Sequence, residues 1–308
     1  FMTTHNNTEP EFVELGRSVV LNNSKWTLTG YSKAGYKTGF SLTPVKILFD
    51  CGVETNQVYE NILMTHVHGD HSLRLPTICN RHKVRSSGKK YNVRLPSSSV
   101  KHVMLYIRSI QQMANPDTEM ESDETLLEKS KINLIPVDYG DKFNANDCAI
   151  EVLNAYHSIQ TVGYGISRIK KSLKKEYLEM MNDNTIDRGV RISKLNELKK
   201  TGVEINETTH IPEIAFYCDS NIQNLSNHDE WIKYPVIVCE CTILIPTEKH
   251  DGEDSYLGHT KMSQLLPIMK LYPDKKWILI HVSKALTPEQ IAETETNMRN
   301  DGFDVYIF

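Results

Sequence analysis

The sequence predicts a layered α/β fold. Short β-branched runs punctuated by glycine and asparagine fill the first part of the chain. Strand and helix patterns alternate through the last third, and a lysine-rich stretch of helical periodicity lies between. In order, "SVVLNN", "WTLTGY", "TGFSL" and "VKILFDCG" read as strands, and "ENILMTH" as a strand running into a loop. "SSSVKHVMLYIRSIQQMA" repeats apolar residues at three- and four-residue spacing behind a serine run suited to capping, so it reads as a helix. "INLIPVD", "CAIEVLNAYH" and "TVGYGIS" read as further strands. "RIKKSLKKEYLEMM" is predicted to be a helix, with Ile169, Leu173 and Tyr177 along one buried face, and "RISKLNELKKTG" a second helix stopped by Gly202. The last third reads as strands "EIAFYCD", "VIVCEC", "KWILIHV" and "FDVYIF", with helices "KMSQLLPIMKLY" and "TPEQIAETETNMRND" between them.

Bulk properties narrow the class. A chain of 308 residues buries a sizeable core, and none of its apolar runs approaches the roughly 18 residues of a membrane span. The opening "FMTTHNNTEPEF" has no apolar secretory core, so a soluble, cytoplasmic protein is expected. Six scattered cysteines (Cys51, Cys79, Cys148, Cys218, Cys239 and Cys241) form no CxxC pair and are expected to be reduced and mostly buried.

Net charge is −4, but it is unevenly distributed. Residues 81–94 hold six Lys/Arg and no acid, and residues 168–200 hold ten Lys/Arg against five acids. The two stretches carry +11 together, leaving −15 for the rest of the chain. Such segregation suits a footprint for an anionic partner. It equally suits two solvated faces balanced by acids such as "DTEMESDETLLE", and charge alone leaves both readings open.

The densest chemistry is in "NILMTHVHGDHSLRLP", where His66, His68, Asp70 and His71 fall within six positions. His66 and His68 are two apart, so in an extended segment both rings point the same way and can meet one cation. A turn at Gly69 would swing Asp70 and His71 toward a second position. Three histidines in one loop are costly to bury without such a partner, so the pattern points to a metal site.

"THVHGDH" resembles the signature of the metallo-β-lactamase-fold hydrolases, and the later motifs are similar to those of their ribonuclease Z (tRNase Z) branch. "AYHSIQTVGYGI" places His157, "IAFYCDS" places Asp219 and "WILIHVS" places His281, in the family's order. The upstream "LTGYSKAGYKTGFSL" and "KILFDCG" also resemble that branch. The resemblance implies a four-layer αββα fold, with two mixed β-sheets between helices. It implies one domain over residues 1–308, with a basic helical insertion at about 168–205 that is either a substrate arm or two surface helices packed on the domain. It further implies two zinc ions, or other divalent ions. His66, His68 and His157 would hold one, Asp70, His71 and His281 the other, and Asp219 would bridge them. Asp70 would also orient or deprotonate the attacking water.

The family's two general-acid boxes are matched by "VCECT" and "GHT", so Glu240 and His259 are the implied proton-donor pair. Cys239 and Cys241 replace the first box's usual histidine and alanine, and Thr260 follows His259 without the second box's serine. Where the family often carries a serine and an arginine after the last histidine, this chain has Ser283 and Lys284. The implied activity is zinc-dependent endoribonuclease action on RNA, most plausibly at tRNA 3′ ends, by a protein whose relatives are often homodimers. A hydrolase of the same fold acting on β-lactams or small phosphodiesters is the alternative, because a dinuclear metal centre attacks carbonyl and phosphoryl groups alike.

Overall fold

The structure is a computed structural model that describes residues 16–21, 25–79, 90–116, 121–245 and 258–308. Most of the basic run 81–94 lies outside the described residues. One sheet holds β1 (Arg17–Val20), β2 (Thr27–Lys33), β3 (Lys37–Thr43), β4 (Ile47–Phe49), β5 (Asn61–Leu63), β6 (Tyr91–Pro96) and β7 (Ile132–Val137), paired in that order. The other holds β8 (Lys142–Ala145), β9 (Cys148–Ala155), β10 (Thr161–Leu173), β11 (Asn206–Phe216), β12 (Val236–Glu240), β13 (Lys276–Ile280) and β14 (Asp304–Ile307), also in chain order. Each sheet begins with four antiparallel strands and continues with parallel ones. The halves of the chain therefore repeat one strand pattern.

Three apolar cores separate four layers. Between the sheets, Leu28, Phe40, Phe49 and Leu63 meet Val152, Tyr164, Phe216, Val238 and Ile280. The Phe49 and Phe216 rings stack across this core, with centroids 4.0 Å apart and planes 7° from parallel. Val103, Met104 and Ile107 of the helix Val100–Ala114 cover the outer face of the first sheet with Leu126 of the helix Asp123–Ser130. Leu265, Met269 and Met298, from the helices Met262–Leu271 and Pro288–Asn300, cover the second. This is the αββα order. The central strands are buried on both faces, which is why residues 47–49, 236–239 and 277–280 read as unbroken apolar runs rather than alternating ones. Among the described residues, no helix is long and apolar enough to cross a membrane.

Two local expectations are corrected. The segment from Arg168 to Leu173 is not the start of a helix but the continuation of β10. Its spacing of Ile169, Leu173 and Tyr177 mimics a helical face, but pairing with β11 wins: Ile169 lies opposite His210 and Leu173 opposite Asn206. Beyond Arg168 the ribbon has lost its β9 neighbour, and β12 joins β11 only from Ile214 onward. The insertion is thus a two-stranded ribbon tipped by the helices Lys175–Asn182 and Arg188–Lys200, the second followed by Gly202 at φ +80° as expected. In addition, no serine hydroxyl caps the helix Val100–Ala114; Ser97–Ser99 form a single 3₁₀ turn before it.

Candidate metal centre

The expected metal ligands all follow the carboxyl ends of strands. Asp50 follows β4, His66–His71 follow β5, His157 follows β9, Asp219 follows β11, and His281 directly follows β13; Glu240 is the last residue of β12. Carboxyl ends of strands are where α/β sheets leave room for ligands. Gly69 does not make the expected tight turn. It begins a one-turn helix, Gly69–Ser72, closed by Leu73 N donating to Gly69 O at 3.0 Å. That turn still separates Asp70 and His71 from His66 and His68. The close approach it requires explains Gly52: a Cβ there would lie 1.6 Å from the Asp70 carbonyl oxygen.

All seven expected ligands come together. His66, His68, His157 and Asp219 form one group and Asp70, His71, Asp219 and His281 a second, with the ligand atoms of each within 4.8 Å of one another. Asp219 belongs to both. Its Oδ2 lies 3.1 Å from His281 Nε2 and 3.8 Å from His66 Nε2, and its Oδ1 lies 3.3 Å from His71 Nε2. Asp70 Oδ2 is 3.5 Å from His71 Nε2 and 3.6 Å from His281 Nε2. His157 Nε2 approaches His68 Nδ1 at 3.3 Å.

The donor set fits divalent metal. The Nε2 atoms of His66, His71 and His281 are buried without a hydrogen-bond partner. Each such orphan costs about 1–3 kcal/mol, so three converging on one carboxylate have no account as packing. Nitrogen and carboxylate donors in two groups of four suit zinc-like ions. Burial, with His71 next, lowers the pKa of His66 well below the usual imidazole value, and burial likewise lowers those of His68 and His157. These rings stay neutral, as ligands must. Burial also opposes charge on His71, but Asp219, Cys218 and Asp50 outweigh it and raise its pKa. Burial acts to raise the Asp219 and Asp70 pKa values, yet the surrounding histidines hold both well below the usual carboxylate range.

A further ring of contacts orients the imidazoles. Asp50 accepts from Thr65 N at 2.7 Å and Thr65 Oγ1 at 2.8 Å, and its Oδ2 lies 2.9 Å from His71 Nδ1. Thr65 Oγ1 is 3.1 Å from His66 Nδ1, and the Gly258 carbonyl is 2.8 Å from His157 Nδ1. Thr242 Oγ1 is 2.9 Å from His281 Nδ1. Asp50 and His281 are both non-glycine residues in the left-handed region, at φ 54° and 59°. Beside this centre, Glu240 Oε1 lies 2.7 Å from His259 Nδ1, and the His259 and His281 rings stack with centroids 5.3 Å apart. Glu240 and His259 are therefore a hydrogen-bonded pair at the edge of the candidate centre.

Asp50, Thr65, Thr242 and Gly258 are not singled out by the sequence. One signal was available: Asp50 ends an apolar strand just as Asp219 does.

No family model matches the chain. It is 27% identical to the chloroplastic tRNase Z TRZ2 of Arabidopsis thaliana over 288 residues, covering 89% of this chain and 72% of that protein. With tRNase Z TRZ1 of the same plant it shares 26% identity over 278 residues, 87% of this chain and 89% of the relative. Among solved structures, the metallo-β-lactamase fold protein YhfI from Bacillus subtilis matches 92% of this chain and 96% of its own, with a TM-score of 0.53 at 12% identity.

Proposed function

Taking as premise a metallo-β-lactamase-fold protein with distant homology to the ribonuclease Z family, we propose that the chain is a divalent-metal-dependent phosphodiesterase that cleaves RNA at tRNA 3′ ends. The observation that carries the reading is the pairing of three orphaned imidazole nitrogens around Asp219 with a histidine proton donor at their edge.

His66, His68, His157 and Asp219 would hold one ion, and Asp70, His71, His281 and Asp219 the other. Bound there, two zinc ions would supply a water ionised at neutral pH and offset charge on the phosphoryl oxygens. The chain's own residues supply the rest. Asp70, held ionised by His281 and His71 against its burial, orients the attacking water. His259 is opposed by burial, but the hydrogen bond and charge of Glu240 outweigh it and raise the ring's pKa above the usual imidazole value. The raised pKa favours the protonated ring that a proton donor needs. With Nδ1 committed to Glu240, its Nε2 delivers that proton to the departing oxygen.

The ribbon and helices of residues 168–205 would be the arm that grips RNA. Lys170, Lys171, Lys174, Lys175, Arg188, Arg191, Lys194, Lys199 and Lys200 give it a sequence-tolerant, salt-sensitive hold on phosphates. The ribbon leaves the sheet beyond Ile211, at the end away from the candidate ligands, and runs on to Asn206, ten residues and so about 33 Å along β11 from Phe216. Its contacts therefore fall on RNA remote from the cleaved bond, or on RNA held by a second copy in a homodimer. Six cysteines, all free and buried, support an intracellular place of action.

Two measurements test the reading together: zinc per chain, and cleavage of a labelled tRNA precursor beside a chromogenic β-lactam and bis(p-nitrophenyl) phosphate. About two zinc ions and precursor cleavage are expected, with Asp70→Ala losing the cleavage. Full cleavage by Asp70→Ala would overturn the mechanism. Efficient β-lactam turnover without RNA cleavage would replace the substrate.

A further inference from the structure

We infer that Thr242 is a positioning residue whose hydroxyl carries the charge of Glu240 to His281 and holds that ring in the tautomer that presents Nε2 to metal. One buried carboxylate would then set both the proton donor and a metal ligand.

The argument is a donor and acceptor count. Glu240 is fully buried and accepts four times. Oε1 takes Ser220 N at 2.8 Å and His259 Nδ1 at 2.7 Å; Oε2 takes Thr242 N at 3.1 Å and Thr242 Oγ1 at 2.5 Å. A carboxylate offers no proton, so the threonine hydroxyl must donate its only one to Oε2. The same oxygen can then only accept from His281 Nδ1, 2.9 Å away. His281 therefore carries its proton on Nδ1. Its Nε2 lone pair faces Asp219 and Asp70, at 3.1 and 3.6 Å, where it is otherwise orphaned. His259 Nδ1 also comes within 3.3 Å of the hydroxyl, but its proton goes to the nearer Glu240 Oε1.

The strand geometry explains why the relay needs residue 242. Glu240 closes β12, opposite Ile280 in the parallel pairing with β13, and His281 is the residue that follows that neighbouring strand. Ser283 N donates to Thr242 O at 3.1 Å, which fixes the two chain segments side by side as they leave the sheet. A side chain two residues beyond Glu240 reaches back to the carboxylate and across to His281. Thr242 is itself buried, so water does not substitute for the hydroxyl. Thr242→Val keeps the shape and deletes the relay. His281 Nδ1 then has no acceptor, and nothing favours the ligating tautomer.

This inference rests on the metal reading above, and its test separates the two. Zinc affinity is measured by chelator competition for the parent, Thr242→Val and Thr242→Ser. The ring-nitrogen NMR signals of His281 are recorded on the zinc-free protein at a pH where the ring is neutral. Thr242→Val is expected to weaken one of the two zinc ions about 10–100-fold and leave the other unchanged, with Thr242→Ser restoring parent-like affinity. In the parent, His281 is expected to carry its proton on Nδ1. Parent-like affinity for both ions in Thr242→Val, or an Nε2-protonated His281 in the parent, would overturn the inference. Should Thr242→Val fail to fold, the parent's ring spectrum alone decides. A parent that binds no zinc would count against the metal reading, while the tautomer remains a separate result.

Discussion

Asp50→Asn alters a single atom of a buried carboxylate, and its consequences can be followed hydrogen by hydrogen. In the parent, Oδ1 accepts from Thr65 N, and Oδ2 accepts from Thr65 Oγ1 and faces His71 Nδ1 at 2.9 Å. With the amide oxygen still facing Thr65 N, the new NH₂ takes the place of Oδ2 and donates toward both other partners. His71 Nδ1 must then accept, which moves the ring proton to Nε2, the atom that faces Asp219 and Asp70. A protonated Nε2 cannot bind metal. Affinity at the Asp70, His71, Asp219 and His281 group should fall about 100-fold, the upper end of the range for orienting contacts, or about 2.8 kcal/mol. Hydrogen-bond number is kept, so the metal-free fold should lose only about 1–3 kcal/mol as charged bonds become neutral ones. Asp50→Ala instead strands three buried groups, at about 1–3 kcal/mol each before relaxation. Chelator-competition titration with zinc and urea denaturation of the metal-free protein give the two numbers. An Asp50→Asn protein with both ions bound as tightly as the parent would refute the claim that Asp50 sets the His71 tautomer.

Three other outcomes are expected. Phe216→Ala removes one of two stacked rings from the core between the sheets and should cost about 3–5 kcal/mol in a denaturant titration. Gly52→Ala places a methyl 1.6 Å from the Asp70 carbonyl and 2.6 Å from that of Thr38, so the loop bearing Asp70 must move; zinc content should fall even where the protein stays folded. Glu295 joins the helix Pro288–Asn300 to both sheets, through Arg17 Nη2 at 2.7 Å and Ile307 N at 2.7 Å. Burial acts to raise its pKa, but those two partners outweigh it and hold it below the usual carboxylate value. A folded-state pKa below the unfolded one adds stability that is present above about pH 4.3 and is lost as pH falls through the folded value. Parent and Glu295→Gln stabilities should therefore converge on acidification from pH 7 to pH 3; a constant gap across that range would rule out the ionised carboxylate as the cause.

The legibility of the centre divides by sequence distance. His66, His68, Asp70 and His71 are readable because a short loop supplies them together, and few folds tolerate such a loop without a cation. His157, Asp219 and His281 are ordinary strand-end residues one by one; only the resemblance to the ribonuclease Z motifs singled them out together. The residues that orient them were not readable. Thr242 lies 39 positions from His281, Gly258 lies 101 from His157, and neither type advertises a partner. The ribbon shows the opposite failure. "RIKKSL" has a helical spacing of apolar residues, and only the pairing of β10 with β11 turns it into strand.

The sequence by itself determined the layered α/β class, the alternation that builds both sheets, the dense His and Asp cluster at 66–71 and the basic character of residues 168–200. These depend on residue type and short-range spacing, which a linear chain displays directly. The tertiary structure alone decided the rest. It showed that Asp219 stands between both candidate ligand groups, and that Asp50 and Thr242 lie 2.9 Å from the Nδ1 atoms of His71 and His281. It also showed that the basic ribbon of residues 168–205 extends from the end of the sheet away from those groups. The reason is physical: a tautomer is set by whichever acceptor lies within hydrogen-bond reach of a ring nitrogen. Here that acceptor follows a neighbouring strand of the same sheet, brought close only when β4 pairs with β5 and β12 with β13.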